Sequence, residues 1–309
     1  MRSALELRTL KNLKNGLLCA FALKILMNIS EILKSATDIL RESGIIEPRR
    51  EANSLLAFAL KKDKTFLIAH SEYELSSEEK TNFQTILQRR AKREPFQYIV
   101  GKQEFYGLDF FVTKDVLIPR PETELIVEAA IEILRNTENP RFCEVGAGSG
   151  CISISILHEK KSATAIALDV SEKALQIARK NAEKHRVLQR LELKISDVFA
   201  VLENEIFDII ISNPPYIPSE DFDRLQMEVR DFEPQNALTD GKDGLSIIEK
   251  IIKDAPKFLK PNSFLLMEIG FNQSKKVREM FSANLWQSVE FLHDLQGIPR
   301  LAKAQRSKK

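Results

Sequence analysis

From Arg141 onward the chain alternates short apolar runs with helix-like stretches, and this alternation limits the possible folds more than any other feature. The strand candidates are residues 142–145, 165–170, 191–195, 207–211, 264–269 and 288–292, and helix candidates begin near Cys151, Ser171, Gly244 and Asn272. This β-α-β-α order predicts an α/β fold with a doubly wound, mostly parallel sheet. In such sheets ligands bind beyond the carboxyl ends of the strands, so the residues that follow each run are where chemistry is expected.

The first part of the chain has a different period. Ser30 is expected to cap a helix that carries Ile32, Leu33, Ala36, Ile39 and Leu40 at helical spacing. Pro48 suits the first turn of a second helix with Ala52, Leu55, Leu56 and Ala59 on one face. Ser76 with Glu79 reads as a capping box before a third, carrying Phe83, Ile86 and Leu87. These stripes predict a small helical bundle, suited to recognition or docking, with no chemistry of its own. Between residues 97 and 112, Tyr98, Val100, Phe105, Tyr106, Phe110 and Phe111, with Gly101 and Gly107, predict a hairpin joining the two halves. Pro119 and Pro121 then pin an extended loop before an apolar helix carrying Leu125, Ile126, Ala129, Ile131, Ile133 and Leu134. The expected division is an extension at 1–26, a helical recognition domain at 27–94, a linking hairpin at 95–114 and the α/β domain at 115–309.

Charge and cysteine usage narrow the function classes. With 46 basic and 44 acidic side chains the chain lacks the basic excess expected where the main task is neutralising a nucleic-acid backbone. Its one basic block, Arg306-Ser307-Lys308-Lys309, is expected to be a frayed, solvated end. Cys19, Cys143 and Cys151 form neither a disulfide framework nor a CxxC pair, which suits a reducing, cytoplasmic setting. Cys143 and Cys151 flank a glycine loop, where small packing residues are expected. The histidines (His70, His158, His185, His293) show no ligand spacing, and no metal is expected. No apolar run approaches the roughly 20 residues that span a bilayer. Arg2, Arg8, Lys11 and Lys14 precede an apolar run at 17–23, which suits a weak targeting peptide or an upstream start codon with Met27 the working start. The lack of a small-residue cleavage pattern favours the second.

The chemistry sits at the ends of the apolar runs. Glu144-Val145-Gly146-Ala147-Gly148-Ser149-Gly150 closes the first strand with a loop whose glycines let a ligand approach the backbone, just before a helix N-terminus. Asp169 ends the next strand, where a carboxylate accepts both ribose hydroxyls of a nucleoside. The G-x-G-x-G spacing departs from the G-x-G-x-x-G of dinucleotide sites. Glu144, two residues ahead of the first glycine, repels a pyrophosphate and welcomes an α-amino group. Asn213-Pro214-Pro215-Tyr216 follows the run 207–211, placing a neutral amide, two rigid carbonyls and an aromatic ring where they can grip a planar N–H₂ group.

The glycine loop resembles the first motif of the S-adenosylmethionine-dependent methyltransferases, whose sheet is Rossmann-like. The resemblance implies S-adenosylmethionine as cofactor, held by Gly146, Ala147, Gly148, Ser149, Gly150 and Asp169 with Asn213. Asp197 then matches the position that addresses the adenine amino group, with Val198 beside the ring; a solvated strand-end acid is the alternative for Asp197. Asn213-Pro214-Pro215-Tyr216 falls where methyltransferases acting on a planar N–H₂ group carry it. Asn213 and Pro214 would accept the two N–H groups and Tyr216 would pack against the substrate, with Pro215 in the same wall. Residues 95–101 (Pro-Phe-Gln-Tyr-Ile-Val-Gly) and 117–124 (Leu-Ile-Pro-Arg-Pro-Glu-Thr-Glu) add to this, as do Glu233-Pro234, Asp240-Gly241, Asp243-Gly244-Leu245 and Glu268-Ile269-Gly270. Together, from about Ser30 to Arg300, they are similar to the bacterial release-factor glutamine methyltransferases.

That family resemblance implies N5-methylation of the glutamine in the Gly-Gly-Gln motif of class 1 peptide chain release factors, with the helical domain contacting the release factor. The implied enzyme is a monomer with no membrane or direct nucleic-acid partner. Ile118-Pro119-Arg120-Pro121 would form a wall near the cofactor and the glutamine, with Arg120 either structural or functional. Two departures stand out: Glu144 replaces the commoner Asp, and Val198 replaces an expected aromatic. Residues 1–26 match nothing in the family. An amino-methyltransferase acting on nucleic acid is the rival reading, since adenine N6 is also a planar N–H₂, but it would need a basic groove or an extra recognition domain. A non-catalytic cofactor-binding adaptor is opposed by the intact Asn213, Pro214, Tyr216 and Asp169.

Overall fold

The computed structural model describes residues 28–308, so the 1–26 extension, Met27 and Cys19 lie outside the described residues. The chain divides between Val100 and Gly101 into two compact units. The first is helical: α1 (Ile29–Glu42), α2 (Pro48–Leu60), α3 (Lys64–Ala69), α4 (Ser77–Ala91) and the short α5 (Phe96–Val100).

Helix α1 is capped by Asn28 rather than Ser30. The Asn28 side chain accepts from Glu31 N at 3.0 Å and Glu31 returns the bond to Asn28 N at 3.2 Å, a complete capping box two residues earlier than expected. Ser76 and Glu79 close the same box on α4, and Pro48 starts α2 without a capping bond. Helix α3 is absent from the sequence reading; Asp63 caps it, and only Leu67 of its six residues is buried. Ile32, Leu40, Leu55, Leu56, Phe83 and Leu87 meet in one core, each fully buried apolar side chain contributing about 1.5–3 kcal/mol. Residues 97–100, expected in the hairpin, belong to a helical turn because Pro95 offers its carbonyl to Tyr98 N and Ile99 N.

Inside this unit the Arg90 guanidinium is buried and donates through Nε and Nη2 to both oxygens of Glu51, tying α4 to α2. Breaking such a pair strands a charge, whereas replacing both partners does not. Glu51→Ala should lower the stability of the helical unit by about 3 kcal/mol in denaturant unfolding of the full chain, and the Glu51→Met/Arg90→Met pair should recover most of it.

The second unit begins with the hairpin β1 (Lys102–Phe105) and β2 (Leu108–Phe111). Tyr106 and Gly107 make its two-residue turn, both at positive φ (51° and 71°), as a type I′ turn demands. Helix α6 (Glu124–Leu134) leads into a seven-stranded sheet. Its strands are β3 (Arg141–Val145), β4 (Thr164–Asp169), β5 (Leu191–Ile195), β6 (Phe207–Ser212), β7 (Leu259–Glu268), β8 (Trp286–His293) and β9 (Pro299–Arg306), in the spatial order β5-β4-β3-β6-β7-β9-β8. The first five strands in that order are parallel, β9 is reversed and pairs antiparallel with β7, and the edge strand β8 pairs antiparallel with β9.

Alternate side chains face two cores. Phe142, Ala165, Ile209 and Ile211 pack with α6 and α7 (Cys151–Glu159), while Cys143, Ile166, Ile210 and Met267 pack with α11 (Ser246–Asp254). Burial pushes the Cys151 thiol up to about 12 and that of Cys143 up as well, so both are inert packing residues as expected. The remaining helices are α8 (Glu172–Lys184), α9 (Ser219–Phe222), α10 (Met227–Phe232) and α12 (Ser274–Met280).

Strand β9 is absent from the sequence reading. Its Ala302 and Ala304 are fully buried, but short side chains between Lys303 and Gln305 give little strand signal until flanking strands cover them. The basic tail therefore starts differently than expected: Arg306 closes β9 and donates to Leu259 O, and Ser307 N donates to Leu285 O at 2.9 Å.

Candidate active site

Between β3 and β6 the strand order reverses, the switch point at which open α/β sheets bind ligands. Val145 pairs with Ser212 across these strands, so the chain leaves the sheet at Gly146 and at Asn213 side by side. A Cβ at Gly146 would lie 3.6 Å from Asn213 O. An open cleft forms above this edge, and its walls include Gly146–Ser149, Asp169, Asp197, Val198, Asn213, Pro214 and Pro215. The structure thus brings nearly every sequence-predicted site residue to one place. Gly150 and Tyr216 do not line the cleft.

Gly150 serves packing. It sits at φ 79°, and a Cβ there would come within 2.9 Å of Ile154 Cδ1 and 3.2 Å of Ala178 Cβ, so it lets α7 and α8 approach. The amides of the loop's three glycines and of Ala147 are already bonded within the fold. Gly146 N and Ala147 N donate to Leu168 O at 2.8 and 2.9 Å, and Gly148 N to Asp169 Oδ2 at 2.8 Å. At the start of α7, Ser153 N and Oγ donate to Glu144 Oε2. The Glu144 carboxyl thus takes one of the N–H groups at the helix N-terminus that a pyrophosphate would use.

Glu144 is buried, and burial pushes its carboxyl up to about 8 while the Ser153 bonds pull the other way. Its Oε1 is buried without a hydrogen-bond partner among the described residues. Glu144 also lines the cleft. Asp169 is raised by burial too, against the N–H bonds of Gly148 and Ser171, each of which takes one of its two oxygens and leaves lone pairs toward the cleft.

At the far end, Asp197 keeps a 64% exposed side chain and pairs with Lys250 Nζ at 2.7 Å. Val198 holds φ 54°, a left-handed conformation that a β-branched residue avoids. Ser196 Oγ braces it by donating to Val198 O at 2.9 Å, so the buried valine side chain is fixed against the cleft.

The Asn213 amide is held from behind. Its Nδ2 donates to Thr123 Oγ1 at 3.1 Å, and Thr123 Oγ1 donates to Glu268 Oε2 at 2.7 Å. The other oxygen of Glu268 accepts the Tyr216 hydroxyl at 3.0 Å. Gln273 Nε2 holds Tyr216 O at 2.9 Å. Tyr216, expected against the substrate, is therefore tied to the end of β7, and its hydroxyl is pushed far up by burial and by the Glu268 charge. Arg120 lines the cleft and forms an ion pair with the buried Glu233, whose second oxygen accepts Ile118 N at 3.1 Å. Thr123, Glu233 and Glu268 were given no role in the sequence reading. An acid ending an apolar run, as Glu268 does, is the signal that also marked Asp169 and could have found it.

Residues 31–101 match the family model described as the PrmC N-terminal domain, and residues 123–228 match the Methyltransferase small domain. The chain is 37% identical over 281 residues to a release factor glutamine methyltransferase of Koribacter versatilis, covering 91% of this chain and 99% of that protein. A protein of the same name from Geobacter sulfurreducens is 39% identical, covering 88% and 95%. Among solved structures the hMettl16 catalytic domain in complex with a MAT2A 3'UTR hairpin is 17% identical, with a TM-score of 0.55 and coverage of 72% of this chain and 82% of that one, a likeness of fold alone. A cleft at the sheet's switch point, a methyltransferase domain on the strands that build it, and relatives matched over nearly their whole length lead to one conclusion: the chain belongs to the release factor glutamine methyltransferase family.

Proposed function

We propose that the protein transfers a methyl group from S-adenosylmethionine to the N5 amide nitrogen of the glutamine in the Gly-Gly-Gln motif of class 1 release factors. The observation that carries this reading is the pairing of Val145 with Ser212, which sets the acceptor-rich Asn213-Pro214 wall beside the glycine loop in one cleft. S-adenosylmethionine, when bound, supplies a methyl group made electrophilic by a sulfonium.

The residues of this chain do the rest. Asp169 would hold the ribose hydroxyls through the lone pairs that Gly148 and Ser171 leave free, and Glu144 Oε1 would meet the α-ammonium group. Gly146, Ala147, Gly148 and Ser149 line the cleft where the cofactor would lie, and Val198 and Asp197 would flank its adenine. An amide nitrogen is a poor nucleophile because its lone pair is delocalised. Asn213 Oδ1 and Pro214 O accept its two N–H bonds, aligning the nitrogen for in-line attack and stabilising the charge that grows on it. A C–N bond forms as a C–S bond breaks, and the nitrogen then loses one proton to solvent. Tyr216 and Pro215 stiffen that wall. The helical unit, which matches the PrmC N-terminal domain, would contact the release factor. Among the described residues no helix is long and apolar enough to cross a membrane, and a release-factor substrate supports work in the cytoplasm.

Three outcomes test this with labelled S-adenosylmethionine and unmethylated release factor. Asn213→Ala should cut kcat by about 10²- to 10³-fold or more while cofactor Kd stays within about threefold; near-normal turnover would refute the mechanism. Asp169→Ala should weaken cofactor binding by about 10- to 100-fold through lost charge-assisted bonds, as read by calorimetry.

The third concerns Glu144, whose carboxyl is raised from 4.5 to about 8. In the free protein its contribution to stability is complete below the unfolded value and is lost as pH rises through the folded one. An incoming ammonium reverses that preference, so binding must expel a proton. Cofactor affinity should climb between pH 6 and pH 7.5, and Glu144→Gln should flatten the climb. A wild-type affinity independent of pH over that range would remove the ammonium from this oxygen.

A further inference from the structure

A side-chain amide is nearly symmetric in shape, yet one end accepts and the other donates. If the Asn213 –NH₂ faced a substrate –NH₂, donors would meet donors and the grip described above would fail. Something must therefore decide which way the amide points. Resting on the proposed function, we propose that Glu268 and Thr123 are positioning residues that set the orientation of the Asn213 amide and so create the acceptor for the substrate nitrogen.

The argument is a count of protons. Glu268 ends β7 at 3% exposure, and both its oxygens accept hydroxyl protons: Oε2 from Thr123 at 2.7 Å and Oε1 from Tyr216 at 3.0 Å. A carboxylate serves both as acceptor, whereas a carboxylic acid would bring a third donor to a place with no use for one. Thr123 has one hydroxyl proton, and Glu268 takes it. What Thr123 Oγ1 offers Asn213, 3.1 Å away, is a lone pair, so the –NH₂ end must turn inward and Oδ1 must face the cleft. The reverse rotamer would press two acceptors together. Burial works against the charge on Glu268; Thr123, Tyr216 and Arg300 favour it, and Glu122 opposes it. Glu268 thus links three segments: Thr123 from the proline-pinned loop, Asn213 through that threonine, and Tyr216 from the turn beyond.

Thr123→Val keeps the shape and removes the hydroxyl; Thr123→Ser keeps the hydroxyl. In the full-length enzyme Thr123→Val should lower kcat by about 10²-fold, with cofactor Kd and release-factor KM within about threefold and the melting temperature retained. Thr123→Ser should return kcat to within about fivefold of wild type. Glu268→Gln should be slow alone but add little to Thr123→Val, since both break one relay. Wild-type kcat in Thr123→Val, an equal loss in Thr123→Ser, or losses that simply multiply would overturn the proposal.

A second readout needs no turnover. In asparagine-labelled protein, the Asn213 side-chain N–H₂ signal, assigned by its loss in Asn213→Asp, should exchange slowly with solvent in wild type and fast in Thr123→Val. Equal exchange in both refutes the relay. A wild-type enzyme that leaves release factor unmethylated refutes the proposed function instead, and the exchange result still decides the orientation.

Discussion

The site depends on the parallel pairing of β3 with β6 at the point where the sheet reverses its order. Two strands that end in register deliver their loops to the same spot, so a glycine loop and an amide-proline loop distant in sequence become one wall. Shifting that register by a single residue would turn Glu144 from the α7 face to the opposite core and would separate the loops. The apolar alternation that buries Phe142 on one face and Cys143 on the other therefore fixes the chemistry as well as the packing.

Buried acids at strand ends are the second theme. Glu144 caps α7 and keeps one oxygen unpaired, Asp169 ties down the glycine loop and retains spare lone pairs, and Glu268 gathers two hydroxyls. All three are pushed up by burial, and each is offset by a different set of donors. Asp169 and Glu268 each hold a residue that lines the cleft, Gly148 and Thr123, while Glu144 lines it directly and braces Ser153 at the start of α7.

Much of this was legible from spacing. The strand runs at 142–145, 165–170, 191–195 and 207–211 fall within a residue of β3, β4, β5 and β6, because strands in a covered sheet are nearly continuous apolar text. The loop residues followed from what ends those runs. Strand β9 was not legible, since Ala302 and Ala304 become strand-like only between β7 and β8, and the turn at 96–100 hides behind aromatic residues that mimic a strand. The Thr123–Glu268 bond joins positions 145 residues apart, and no local pattern announces a contact at that distance. Gly150 and Tyr216 show the opposite limit: their place in a motif suggested ligand contact, while the backbone assigns one to helix packing and the other to the end of β7.

The central claim is that the cleft presents a planar amide nitrogen of a protein to the methyl donor. The most direct measurement offers unmethylated release factor, duplex DNA and ribosomal RNA together with labelled S-adenosylmethionine, and maps the product by mass. The account predicts one added methyl on the N5 nitrogen of the Gly-Gly-Gln glutamine and none on nucleic acid. Label on a nucleobase amine, or on any other protein position, would contradict it.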